Sequence, residues 1–543
     1  MPAQEKKSAP FNIQELHLAT GGRIILLLAF IAFQITILKF VIHPPMNGGG
    51  LSIQGGRFLA LLYFILGFML LLSGHFARVR QELIGAAEHH RWQRMILPQL
   101  ISYFLIIYCA SKLYPTDIFA FNEHIGKHKP LWLAAITVSI ITTSLFSLTL
   151  IAPKAYWRHF FKTEKTTFLL ALTFPAIHIA VYSFATRAHD VLSTPTIKVA
   201  KFILGLFYTD IWTDLDKAML GRPNYAVIVD QMCSGYAGIG MITVFLIWYL
   251  STFKNKLRFP AAFLVFPIGA ALIWLSNCLR VALIVAIGSS LSTEIAIEGF
   301  HANAGWIFFI AVSVIMVAMT RNFRLFNKEV ADRIIIDSVN ALVIPFLVML
   351  AATLIASSLS PQFQWLYPIR AIATALAILL VWKHIKLAPV SPAAFPVIAG
   401  IVVFLLWIFL IPPSVEGDRK FSAALSGVPT FVSTGWIVIR LLGSVFVIPI
   451  AEELAFRGYL PVLFTGGKAD KDRSWETHLL PFALSSLLFG ALHTSMLAGT
   501  LAGVVYYLVK LRSGSLRHAI IAHMTSNFLI SVYVLLSGHW SYW

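Results

Sequence analysis

The stretch VDQMCSGYAGIGMITVFLIWYLSTFKNKLR, residues 229–258, decides how the chain is read. From Tyr236 to Phe253 it carries no charge and is almost wholly apolar, close to the roughly 20 residues an α-helix needs to cross a bilayer. It ends on Lys254, Lys256 and Arg258, a basic loop that the positive-inside rule makes cytoplasmic. At the other end Cys233 stands just before the apolar run, at or near a helix N-terminus, where the dipole favours a thiolate. One segment therefore predicts a transmembrane helix, its orientation and a candidate nucleophile on the outer side.

The same pattern recurs along the chain. Of its 543 residues 58% are hydrophobic and only 12% charged, against the roughly 25% charged of a soluble domain, and the mean hydropathy is +0.79. The expected fold class is an all-α polytopic integral membrane protein of about fifteen or sixteen spans in two consecutive transmembrane bundles. Loops holding Arg78, Arg80, Arg91 and Arg94, then Lys154, Arg158, Lys162 and Lys165, then Lys254, Lys256 and Arg258, then Arg321, Arg324 and Lys328 fall on one side, the cytoplasmic one. The net charge of +18 is spread over these short loops, with no basic stripe interleaved with aromatics, so nucleic acid is not an expected partner and the lipid bilayer is. Cys109, Cys233 and Cys278 make no disulfide framework, and the polar N-terminus does not read as a cleaved signal peptide.

The basic stretch TRNFRLFNKEVADR, residues 320–333, is the natural linker between a first domain of about eight spans (1–330) and a second (331–543). Between the cytoplasmic loops lie outer ones: a flexible MNGGGLSIQGG loop, the longest from about Arg187 to Ser234, and a short one from about Ser289 to Ala304. No internal repeat or low-complexity segment stands out.

Cys233, Arg280 and His301 converge on the outer face. Arg280 lies far enough beyond Arg258, about 33 Å at 1.5 Å per residue, to surface there. A working thiol needs a cation or a helix N-terminus to lower its pKa and an imidazole to move protons. His301 supplies the base and then the acid, and Arg280 a charge for an oxyanion or a substrate carboxylate. Against this stand the ordinary fates of such residues: a cysteine as a small buried hydrophobe, the reading given to Cys109 and Cys278, and an arginine as a snorkelling anchor.

A second constellation lies near the C-terminus. IPIAEELAFRGYL, residues 448–460, interrupts apolar sequence with Glu452, Glu453 and Arg457, each costing about 2.5–3.5 kcal/mol to insert. Glu453 and Arg457, four apart, can pair; Glu452 points about 100° away and is left for general-base work. FGALH aligns Phe489 with His493, and HMTSN aligns His523 with Asn527. The bland reading is polar residues joining helices. Glu452, His493 and His523 would also make a zinc set of the kind found in His2Glu hydrolases; the metal-free mechanism is preferred, and no cofactor is expected.

CSG at 233–235, NCLRV at 277–281 and HANAG at 301–305 resemble, in that order, the Cys-Ser-Gly, Asn-x-x-Arg and His-x-x-x-Gly motifs of the exosortase family, membrane transpeptidases or proteases that process C-terminal sorting signals. The resemblance implies Cys233 as nucleophile, His301 as proton shuttle and Arg280 as charge stabiliser, with Asn277 and Gly305 structural. One departure is Gln231, where many members carry an acidic residue; Asp230 is adjacent. EExxxR, FxxxH and HxxxN resemble the CPBP family of intramembrane proteases, which includes CAAX-processing enzymes. That resemblance implies that Glu452 and His493 activate water, that His523 and Asn527 orient it or hold the oxyanion, and that Glu453 and Arg457 support the site. An exosortase fused to a CPBP protease resembles the exosortase E/protease subtype. What it implies is a multi-pass enzyme of a bacterial inner membrane with the Cys233 site facing the periplasm. Its substrates would be secreted proteins ending in a Pro-Glu motif, a transmembrane helix and a basic tail. The alternative is a transporter or scaffold with polar intramembrane residues, which would have no need of the Cys233 thiol beside His301 and Arg280.

Overall fold

Apolar runs bounded by basic loops become helices because a backbone in lipid must satisfy its own hydrogen bonds. The computed structural model describes residues 27, 30, 34, 76–88, 90–113, 125–187, 189–229, 233–328, 337–385, 387, 393–465, 467 and 475–543. All of the N-terminal apolar run but residues 27, 30 and 34, the MNGGGLSIQGG loop, Asp230, Gln231 and residues 329–333 of the linker lie outside the described residues. By packing, the chain divides into two compact units, Met1–Leu172 with Ser474–Leu480, and Thr173–Arg473 with Pro481–Trp543. The expected break at residue 330 falls inside the second.

In the first unit α1 (Phe76–Glu88) precedes α2 (Ile96–Leu113), α3 (Ile125–Ile151), the short α4 (Lys154–Thr163) and the start of α5 (Lys165–Arg187). The α2–α3 pair is antiparallel: Tyr108 meets Trp132 at one end and Gln99 reaches Ser147 at the other. α4 is amphipathic and buries Tyr156 and Phe160 among Val79, Ala87 and Ile151. Arg78 of α1 pairs with buried Glu164 beyond α4, so two of the basic loops lie on one face of this unit.

In the second unit the stretch expected as a long outer loop is ordered. It holds α6 (His189–Gly205) and an antiparallel meander of β1 (Trp212–Asp214), β2 (Met219–Arg222) and β3 (Tyr225–Ile228), in the order β1-β2-β3. Thr213 faces Leu220, and Leu220 faces Val227. Asp214 holds the first turn, accepting from the backbone of Asp216 and Lys217 at 3.1 Å. Leu220 and Val229 then bury against Val281 and Val285. Arg222 pairs with Asp210 at 2.9 Å, lies 3.9 Å over the Tyr208 ring and reaches Ser289 and Ser290, which ties the meander to the end of the next long helix.

That helix, α8 (Val265–Ser290), packs with α7 (Tyr236–Phe253) and α9 (Ala302–Asn322) around Ile242, Leu246, Ile273 and Met316. A π-turn, Ile295–His301, leads into α9. The loops after α7 and α9 meet at one end, where Arg258 donates to Phe326 and Lys328 to Lys256 across main-chain bonds of 2.8 and 3.0 Å. Two more of the basic loops therefore share a face.

Then follow α10 (Asn340–Leu359), α11 (Tyr367–Val381), α12 (Phe395–Leu410) and α13 (Val415–Ser426), the last two bent by 108°. α14 (Thr430–Thr465) is one long helical segment interrupted by π-turns at Gly443–Val447 and Leu454–Tyr459. α15 (Trp475–Ala491), α16 (Met496–Ser513) and α17 (Leu516–Ser537) complete the chain. A core of Phe346, Ile448, Phe456, Phe489 and Tyr506 joins them. α10 packs on both the π-turn before α9 and the second π-turn of α14. Among the described residues seven helices are long and apolar enough to cross a membrane, or eight if the bent pair is one span. Exposed apolar side chains such as Phe202, Leu380 and Phe409 cover the outside, as lipid contact requires.

Candidate active sites

The Cys-Ser-Gly segment is a turn built around its glycine. Gly235 has φ of 104°, in the left-handed region, and caps α7. A Cβ there would come within 3.2 Å of the Trp274 ring and 3.3 Å of the Asn277 amide. Asn277 donates to the Cys233 carbonyl at 2.7 Å. Below, Trp274 Nε1 donates to Thr196, whose hydroxyl reaches the carbonyl of fully buried Ser234. These bonds hold the thiol where α7 begins.

Cys233 Sγ lies 3.4 Å from His301 Nε2, though 68 residues separate them. Cys233 is half-buried and His301 exposed at the end of its π-turn. Arg280 follows Asn277 by one helical turn on α8, and its Nη1 lies 3.5 Å from the point a Cβ on Gly305 would occupy. The small residue one turn beyond His301 leaves room for the guanidinium. Arg280 Nε is buried with no hydrogen-bond partner among the described residues. Cys109 and Cys278 are 1% and 0% exposed.

At the second constellation Glu453 and Arg457 are both fully buried and pair at 3.0 Å. Arg457 also donates to the Gly503 carbonyl at 3.0 Å and lies 4.3 Å over the Phe489 ring. Glu453 Oε1 faces His523 Nδ1 at 3.0 Å. A carboxylate only accepts, so Nδ1 carries a proton. His523 Nε2 is 3.9 Å from Glu452 Oε2. His493 Nδ1 likewise donates to the Phe489 carbonyl at 2.7 Å. Asn527 donates to the Ser444 carbonyl at 2.9 Å.

Glu452, Phe489, His493, His523 and Asn527 all line one cavity of about 190 Å³. Sequence reasoning did not single out further polar residues of its lining, among them Tyr506, stacked on His523 with ring centroids 4.5 Å apart and bonded to Ser526, and the arginines Arg370 and Arg440. For the arginines the signal was present, since each is a lone charge in an apolar run. Among the described residues no three His, Cys, Asp or Glu side chains gather closely enough to hold a metal ion.

An all-α polytopic protein with a thiol–imidazole pair and a carboxylate–imidazole cavity has the outline of a membrane protease. Family models agree with that class. The transmembrane exosortase model (EpsH type) matches residues 16–318, and the type II CAAX prenyl endopeptidase Rce1-like model matches residues 434–529. The first covers more than half of the sequence, and the chain belongs to the transmembrane exosortase family, joined here to an Rce1-like region. No curated protein and no solved structure matches it.

Proposed function

We propose that the chain is a sorting enzyme that cleaves C-terminal signals through Cys233 and carries a second, glutamate-dependent protease site. The observation that carries the first part is the 3.4 Å approach of Cys233 Sγ to His301 Nε2. His301 takes the thiol proton as sulfur attacks the scissile carbonyl, the C–N bond breaks, and the same proton passes to the leaving amine. Arg280 stabilises the oxyanion. The thioester is then resolved by water or by an amine acceptor. At the second site Glu452 takes a proton from a water that His493 or His523 Nε2 helps to hold, while Asn527 and His523 orient it; no metal is needed.

Substrates are secreted proteins ending in a Pro-Glu motif, a transmembrane helix and a basic tail. The tail stays cytoplasmic in a bacterial inner membrane, which presents the motif at the periplasmic face with Cys233. The meeting of the basic loops after α7 and α9, at the end of the bundle away from Cys233, supports this sidedness.

The test is a reporter protein bearing such a tail, co-expressed with the enzyme. Cys233→Ala should reduce cleavage by at least about a thousandfold, as loss of a nucleophile does, whereas Cys109→Ala and Cys278→Ala should cleave normally. Cleavage persisting in Cys233→Ala would refute the assignment.

A further inference from the structure

We infer that α7 and α9 enclose, at the ends that run into their basic loops, a site for one anionic phospholipid. Lys256, Arg321 and Lys328 hold its phosphate, and the aromatic side chains of α7 take its acyl chains. The inference needs only the membrane class of the protein and is independent of which bond either protease site cleaves. The space is a cavity of about 730 Å³, lined by both helices and by the loops that follow them. That volume is within the range of ordinary ligand sites.

Its depth is aromatic. Phe245, Trp248, Tyr249 and Phe253 line it along about 12 Å of α7. Phe245 stacks on Tyr249 and Tyr249 meets Phe253, with ring centroids 6.2 and 5.0 Å apart. The Tyr249 hydroxyl is engaged with Thr320 at 2.8 Å. Trp248 Nε1, by contrast, is a buried donor with no hydrogen-bond partner among the described residues. It stands about 8 Å short of the end of α7, at the depth of the bilayer's interfacial layer. Tryptophan is favoured there, and the ester carbonyls of lipids are the acceptors at hand.

Its mouth is cationic and held in place. Leu257 and Asn327 form a β-bridge, and the Lys328 amide donates to the Lys256 carbonyl at 3.0 Å, so the backbones of the two lysines are fixed against each other. Lys328 Nζ donates to the Asn255 carbonyl at 3.0 Å, a neutral acceptor. Among the described residues no Asp or Glu lines the cavity, and none lies within 4.0 Å of the charged nitrogens of Lys256, Arg321 or Lys328. The sequence has the same bias, since residues 254–258 and 320–333 carry seven Lys and Arg against Glu329 and Asp332. Three cations of this kind attract a phosphate. A free phosphate would use the mouth alone and leave the aromatic depth and Trp248 without a ligand; a phosphate that carries acyl chains and ester carbonyls meets all of them. The lipid braces the two helices whose other ends carry Cys233 and His301.

The experiment uses the full chain in detergent micelles, incubated with equal amounts of phosphatidylglycerol and phosphatidylcholine of the same acyl chains. Native mass spectrometry reads which lipid is retained. Phosphatidylglycerol should be retained about ten- to a hundredfold more strongly. Lys256→Gln, Arg321→Gln and Lys328→Gln combined should bring the two lipids to near equality. Lys254→Gln, Arg258→Gln and Arg324→Gln combined remove as many charges from the same loops but outside the cavity lining, and should keep the preference. All six side chains are exposed, so both variants should fold. Should the first not fold, Arg321→Gln alone decides, with a preference about fivefold smaller expected. Trp248→Phe should weaken retention of both lipids by about two- to tenfold, because the ester carbonyl is common to them. Equal retention of the two lipids by the parent overturns the site. So does a preference that survives loss of the cavity cations, or one that the control variant loses equally. Displacement of the lipid by excess inorganic phosphate would make this a site for free anions and overturns the assignment to a phospholipid.

Discussion

Both imidazoles at the Glu452 cavity donate from Nδ1 to groups that can only accept, the Glu453 carboxylate and the Phe489 carbonyl. Glu453 thus serves Arg457 and His523 with one oxygen, while its other oxygen is buried with no partner among the described residues. Glu453→Gln keeps the shape but leaves Arg457, 0% exposed, without its counter-charge. Breaking such a pair costs about 3–5 kcal/mol. The variant should melt lower and accumulate less, and adding Arg457→Met should restore abundance without activity; thermal shift in detergent, read beside protease assays, checks both. If Glu453→Gln matches the parent in melting temperature, the pair has no stabilising role. The Glu453–Arg457 pair was legible in the sequence because it obeys helical spacing. The bond to His523 was not, since it spans 70 residues and depends on how α14 meets α17. Cys233, His301 and Arg280 could be assigned to one face from loop charge, but no spacing rule could give the contact between thiol and imidazole.

Among the elements, the β-meander was the least legible. Its strands are three or four residues long, too short for an alternating pattern to stand out from a polar loop. What orders it is tertiary: Leu220 and Val229 against α8, and Arg222 clasping Asp210. The Arg222 hydrogen bond holds the Asp210 carboxyl below its ordinary value, with Arg222 correspondingly raised. A depressed carboxylate supports the folded clasp above its unfolded pKa, about 3.9, and the support is lost as pH falls through the lowered value. The protection of amides in residues 212–228, relative to their intrinsic exchange rate at each pH, should therefore be constant at neutral pH and fall below about pH 4. Arg222→Ala should show low protection at every pH. An identical acid response in that variant would place the sensitivity elsewhere. The π-turns also escaped sequence reading, because one inserted residue leaves the apolar pattern intact while it re-aims everything after it.

For the whole molecule, the membrane class followed from composition and loop charge, and the described residues carry seven or eight span-length helices towards the fifteen or sixteen read from the sequence. The helix that no sequence pattern marks as special is α10. Its C-terminal end presses on the His301 π-turn, where a Cβ on Gly299 would come within 2.3 Å of the Ser358 carbonyl, and it also packs on the π-turn that carries Arg457. That packing predicts the behaviour of a bisected gene. Residues 1–328 and 337–543, co-expressed as separate polypeptides with a tag on one, should co-purify from detergent. Gly299→Leu should weaken the association, and recovery of the tagged half alone from the parent sequence would contradict it. Gly299 is thus a party wall: with no room for a side chain against the Ser358 carbonyl, neither side of this contact can be rebuilt without the other giving way.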